Sequence, residues 1–122
     1  MTRFFAGVLA GWLVLGFAAL AQHPAGEKVV QSQVLVDNPK VKMVRWSLQP
    51  GEQSPVHTHS LDHIYVVIHG SKIRDFISGD GTHDDEQETG RAAFSPAKSK
   101  PKTHYFQNVG TAPYEMVSIE LK

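Results

Sequence analysis

The chain has 122 residues, 41% of them hydrophobic and 20% charged, which suits one globular domain with a single core and is too short for two. Lys plus Arg equals Asp plus Glu at 12 each, so no net field draws a nucleic-acid backbone, and no basic stripe marks a nucleic-acid face. There is no cysteine, which excludes a disulfide framework and any thiolate metal site; a bound metal would have to use nitrogen and oxygen.

Residues 1–21, MTRFFAGVLAGWLVLGFAALA, carry one early positive charge at Arg3, then an apolar and glycine run that ends in Ala19-Leu20-Ala21. This is the layout of a secretory signal with a small-residue cleavage site, and it places the mature start at Gln22 and the domain in the periplasm or outside the cell. The rival reading is an uncleaved anchor, because the apolar stretch of about 18 residues lies near the lower limit for crossing a bilayer. If the segment is cleaved, no stable membrane partner is expected. Residues 22–28, QHPAGEK, have no periodicity and carry Pro and Gly, as a flexible leader would.

The domain is expected over residues 29–122. It reads as short runs rich in Val, Ile, Tyr, Phe and Thr: VVQSQVLVD, VKMVRWSLQ, HIYVVIHG, SKIRDFI, AAFS, THYFQNV and YEMVSIELK. Turn signals separate several of them, among them Asp37-Asn38-Pro39, Gln49-Pro50-Gly51 and Ser78-Gly79-Asp80-Gly81. Val44, Trp46 and Leu48 alternate against Val41, Met43 and Arg45, and Val117, Ile119 and Leu121 against Met116, Ser118 and Glu120. No mature segment of about ten residues sustains a helical apolar period, so the expected fold is an all-β sandwich or barrel. Residues 78–90, SGDGTHDDEQETG, are acidic and polar and are expected to be a solvated hairpin loop, with His83 facing water; their spacing lacks the order of a calcium-binding loop.

His57, His59 and His63 fall within seven positions of a chain with seven histidines. On an extended backbone His57 and His59 point to the same side and can converge on one ion, and His63 would open the next strand beside them. His104 is the remaining histidine inside a strong strand pattern, whereas His69 ends a strand and His23 lies in the leader. Neutral imidazoles suit Fe, Ni, Cu or Zn better than Mg or Ca, so the expected cofactor is a divalent transition metal. An isolated His-x-His pair is more often merely exposed or hydrogen-bonded; the surrounding spacing is what strengthens the metal reading.

That spacing resembles the cupins, whose first motif is G(X)5HXH(X)3,4E(X)6G and whose second is G(X)5PXG(X)2H(X)3N. Here Gly51, five residues, His57-Thr58-His59, three residues, His63, six residues and Gly70 repeat the first motif, with His63 where the family has glutamate. Gly90, five residues, Pro96, the stretch AKSKPKT, His104, three residues and Asn108 follow the second, with Lys98 at the expected turn glycine and two extra residues. The resemblance covers Gly51 to Asn108. It implies a single jelly-roll β-barrel, His57, His59 and His104 as metal ligands, and His63 at the family's fourth ligand position.

Four neutral nitrogens would leave a divalent ion its full charge, favouring anions and Lewis-acid chemistry. The functional expectation is therefore an exported metal-dependent oxygenase or isomerase acting on a small anionic or diketone-like compound. The alternative is a non-catalytic module that holds a small ligand or the metal itself. A small molecule is the expected partner, nucleic acid is not, and a homodimer is compatible with the sequence. No side chain is singled out as catalytic. Tyr65, Phe76, Phe94 and Phe106 are candidate pocket walls that read first as core, and Lys98, Lys100 and Lys102 read as a solvated basic turn. Neither a G-x-S-x-G motif nor a cysteine offers a nucleophile.

Overall fold

A computed structural model describes residues 28–122; the expected signal segment and the leader up to Glu27 lie outside the described residues. Nine strands follow in order: β1 (Gln33–Asp37), β2 (Val41–Leu48), β3 (His57–His59), β4 (His63–His69), β5 (Ser71–Ile77), β6 (Gly81–Gln87), β7 (Ala92–Ser95), β8 (Lys102–Asn108) and β9 (Tyr114–Leu121). They form two sheets, one ordered β1-β2-β9-β4-β7 and the other β3-β8-β5-β6, with every strand pair antiparallel. The described residues contain no helix, as the missing 3.6 period requires.

Alternation decides which residues lie between the sheets. Trp46 and Leu48 of β2, Tyr114 of β9 and Val67 of β4 meet Ile73 of β5 and Phe106 of β8 in one buried core. Asn108 sits fully buried at the end of β8 and ties three segments together. It accepts from the Ser71 hydroxyl at 2.8 Å and the Gly110 amide at 3.1 Å, and donates to the carbonyls of Leu48 at 3.0 Å and Ala112 at 2.8 Å.

Gly70 is the corner at which the chain leaves the five-stranded sheet and enters the four-stranded one. A Cβ there would lie 2.2 Å from the Gln87 carbonyl oxygen and 2.7 Å from the Thr89 amide nitrogen, so the backbones can approach this closely only at glycine. Gly51 and Gly90 stand in open space but have φ of 86° each, the left-handed region that their turns require.

One expectation is corrected. Residues 78–90 are not all loop: Gly81–Gln87 is an edge strand whose seven residues pair with the seven of β5. It has no apolar alternation because its two faces meet different polar surroundings. Asp84 on the outer face receives a two-pronged bond from Arg74, Nε at 2.7 Å and Nη2 at 2.9 Å, while Asp85 and Gln87 face a cavity between the sheets and His83, at its rim, is exposed to water as expected. Charge on an edge strand also blunts pairing with other chains. The expected basic turn is corrected at one end as well: Lys102 begins β8, and its ammonium is held by Asp75 at 2.8 Å.

Candidate metal centre

Strand β3 is only three residues long, and its place is fixed by register. His57 is paired with His104 across β3 and β8, Thr58 with Thr103, and His59 with Lys102. The outward Thr58 and Thr103 hydroxyls are 2.8 Å apart, and just before the strand the Ser54 hydroxyl accepts from the Phe106 amide at 3.0 Å. The inward face of this pair of strands therefore carries His57, His59, Lys102 and His104 side by side. Each of His57, His59 and His104 offers a ring nitrogen, and these atoms all lie within 4.8 Å of one another. Two nitrogens about 2.1 Å from a shared ion are at most about 4.2 Å apart, so small side-chain rotations would let the group hold a metal ion.

The outer nitrogens of these rings are arranged differently. His57 Nδ1 donates to the Pro55 carbonyl at 2.8 Å, which leaves Nε2 as the unprotonated donor atom. His104 Nδ1 lies 2.6 Å from Asp75 Oδ1, and its Nε2 is buried with no hydrogen-bond partner among the described residues. His59 Nδ1 is likewise buried and unpartnered, 3.5 Å from Glu120 Oε1 but without the geometry of a hydrogen bond. Buried ring nitrogens in one cluster without protein partners are what a metal ion would satisfy.

Burial is the main reason the rings stay neutral. It depresses the pKa of His57, of His63 and, most strongly, of His59, which falls to about 3 with the adjacent imidazoles adding to the effect. For Asp75, burial opposes ionisation, but hydrogen bonds from His104 and Lys102 outweigh it and hold the carboxyl below its usual range. Trp46 stacks on His57 with ring centres 5.4 Å apart and planes 24° apart, so the imidazole rests against the core.

His63, the fourth sequence candidate, opens β4 on the opposite sheet, as the turn before it suggests. Its ring stacks on His59, centres 4.3 Å apart and planes 17° apart, and it stands outside the three-histidine group. Its Nδ1, like that of His59, is buried with no hydrogen-bond partner among the described residues. His69 is exposed at the end of β4, and His23 is outside the described residues.

The histidines line a cavity of about 260 Å³ between the sheets. Across it stand Tyr65 of β4 and Met116 and Ser118 of β9; Asp75, His83, Asp85 and Gln87 complete the wall on β5 and β6. Phe106 borders both core and cavity, Phe94 is largely exposed, and Phe76 stacks on Tyr105 away from the cavity. Sequence reading did not assign Asp75, although Asp75 between Ile73 and Ile77 is a charge on the inward side of an alternating strand. His83, Asp85 and Gln87 gave no such signal, since they belong to the strand that lacks an apolar pattern.

No family model and no curated protein matches the chain. Solved structures do match it. A cupin domain from Bordetella pertussis Tohama I is 24% identical over 75% of this chain and 91% of that one, with a TM-score of 0.67. An RmlC-like cupin family protein with a double-stranded β-helix fold from Methanocaldococcus jannaschii is 18% identical over 74% and 77%, with a TM-score of 0.60. A sugar phosphate isomerase from a cupin superfamily, from Silicibacter pomeroyi DSS-3, is 22% identical over 75% of this chain and 58% of that one, with a TM-score of 0.55. The chain thus has the all-β, two-sheet cupin fold, the double-stranded β-helix. Within that fold it carries a histidine triad that could bind a metal.

Proposed function

We propose that the protein is an exported, metal-dependent cupin-fold enzyme of the oxygenase or isomerase type, acting on a small anionic or diketone-like compound in the cavity beside His57, His59 and His104. The observation that carries this reading is the triad's place on a cavity: three ring nitrogens within 4.8 Å of one another border a space of about 260 Å³, and among the described residues no fourth ligand atom belongs to that group. Three protein ligands with a free position are typical of metal sites that do chemistry, whereas structural sites close with four. A divalent Fe, Ni, Cu or Zn ion held there would supply Lewis-acid activation of a bound oxygen atom. Its charge is the main attraction for an anion, because the nearby cations Lys102 and Arg91 are already engaged by Asp75 and Asp85 at 2.8 Å each.

The test is metal content by mass spectrometry on protein recovered from its native compartment, with His57→Ala and His104→Ala beside the parent. Stoichiometric metal in the parent and loss in both variants is the expected result; full occupancy in both variants refutes the site. Oxygen uptake or isomerisation with enolisable acids then separates the enzyme from a module that only holds a ligand or metal. N-terminal sequencing should find Gln22 or a neighbour at the start of the protein, and Met1 in a membrane fraction would overturn export by cleavage.

A further inference from the structure

Asp75 and Lys102 lie beside the metal-ligand candidate His104, and the strand register explains why. Lys102 and His104 are two apart on β8 and share its inward face, while Asp75 comes from the adjacent strand β5, two residues from the Ile77 that is paired with His104 and so on the same face. The carboxylate spans the two, with Oδ1 2.6 Å from His104 Nδ1 and Oδ2 2.8 Å from Lys102 Nζ. The side chains of His104 and Asp75 are 10% and 25% exposed, so solvent screens this pair only partly.

Resting on the three-histidine reading above, we propose that Asp75 and Lys102 are opposed positioning residues that set how strongly His104 binds a metal ion. Asp75 strengthens the bond and Lys102 restrains it. An Nδ1–H donated to a carboxylate fixes the tautomer that presents Nε2 to the ion and pushes electron density toward Nε2. The ammonium on the second carboxylate oxygen withdraws part of that density and adds its own repulsion toward a cation. The arrangement matters more here than in a site with a carboxylate ligand, because position 63 is an imidazole and the triad has no anion of its own. Asp75 supplies a negative charge on the far side of the His104 ring from the ion, and Lys102 offsets it.

The opposed signs make the proposal testable without turnover. Metal-free full chain is titrated with Co²⁺ against a competing chelator at pH 7.5, reading both affinity and the visible absorption of bound Co²⁺, for the parent, Asp75→Asn, Lys102→Met and Lys102→Arg. Asp75→Asn should weaken binding about 10 to 100-fold, the usual effect of removing an outer partner of a metal-bound histidine. Lys102→Met should tighten it several-fold and shift the Co²⁺ bands, and Lys102→Arg should return both toward the parent. If the pair merely braces the strands, Asp75→Asn and Lys102→Met both weaken binding, and that result overturns the proposal, as does no change in either. Should Asp75→Asn fail to fold, the sign of the Lys102→Met change decides alone. His104→Ala, run alongside, separates the two levels of inference: unchanged Co²⁺ binding there removes the three-histidine site itself, whereas loss there with same-sign changes at positions 75 and 102 removes only the tuning.

Discussion

Acidifying the metal-free protein should destabilise it well above the pH at which its carboxylates titrate. His57, His59 and His63 are packed against one another and kept neutral by burial, with the pKa of His59 lowered to about 3. In the unfolded chain each would titrate near 6.5. Between the folded and unfolded values the unfolded state binds the extra proton, so stability is fully present above about pH 6.5 and is lost as pH falls, by about 1.4 kcal/mol per pH unit for each ring that stays neutral. His59, whose side chain is 14% exposed, accounts for about 2 kcal/mol between pH 7 and pH 5 by this linkage. The other two rings, also depressed by burial, add to that loss, against a whole-domain stability on the order of 5–15 kcal/mol. Asp75 works in the same direction only at lower pH, because its depressed pKa matters below the ordinary aspartate range. Urea titrations followed by tryptophan fluorescence at pH 7, 6 and 5 measure the slope, since Trp46 sits in the core. His59→Asn should flatten the slope, and saturating Zn²⁺ should offset the loss by about 2.7 kcal/mol at a hundred times its Kd. A urea midpoint that stays constant from pH 7 to pH 5 in the metal-free protein would refute the buried-neutral account of the cluster.

Gly70→Ala should leave the protein insoluble or destabilised by more than about 3 kcal/mol, because the added methyl meets backbone atoms at 2.2 and 2.7 Å that cannot swing aside. Gly79→Ala, with φ of 78° and open space around it, should cost only about 1–2 kcal/mol, so near-equal urea midpoints for the two variants would contradict the corner assignment. Asn108→Ala removes four hydrogen bonds from a fully buried site, for an expected loss of about 3 kcal/mol or more by thermal denaturation; a loss under about 1 kcal/mol would mean that water replaces the amide. His63→Ala should lose much less Co²⁺ affinity than His59→Ala, and comparable losses would put His63 in the coordination sphere after all.

How much of this was legible in the sequence depends on what each residue had to satisfy. The motif positions were readable because most of them are backbone necessities. Gly51 and Gly90 supply positive φ, Gly70 admits a crossing strand, and Asn108 saturates a buried junction. Their spacing therefore identifies the fold, and the fold in turn brings His57 opposite His104. Strands β2 and β9 were readable from alternation because one face of each enters the core. β6 was not, because its inward residues, Asp85 and Gln87, face a cavity instead of apolar side chains and its outward residues face water. Lys102 resembled its exposed neighbours Lys98 and Lys100 in sequence; only the register that sets Asp75 beside β8 distinguishes it.

Position 63 faces the triad from the opposite sheet. Spacing places His63 correctly at the first residue of β4, paired with Glu120 of β9 and Ser95 of β7, yet this puts it on the five-stranded sheet while His57, His59 and His104 all project from the other. A carboxylate at that position could turn about its terminal bond to aim an oxygen at the triad. An imidazole aims its lone pair only within its ring plane, and the His63 plane lies 17° from that of His59. Compared with the glutamate of the motif, the imidazole exchanges a flexible anionic group for a neutral one. Burial first, and then the neighbouring His63 ring, depress the pKa of His59 and keep that ring neutral, with one nitrogen free to bind. The same change leaves the triad without an anion of its own, so the carboxylates that remain near it, Asp75 behind His104 and Glu120 beside His59, become the local sources of negative charge for a cation held there.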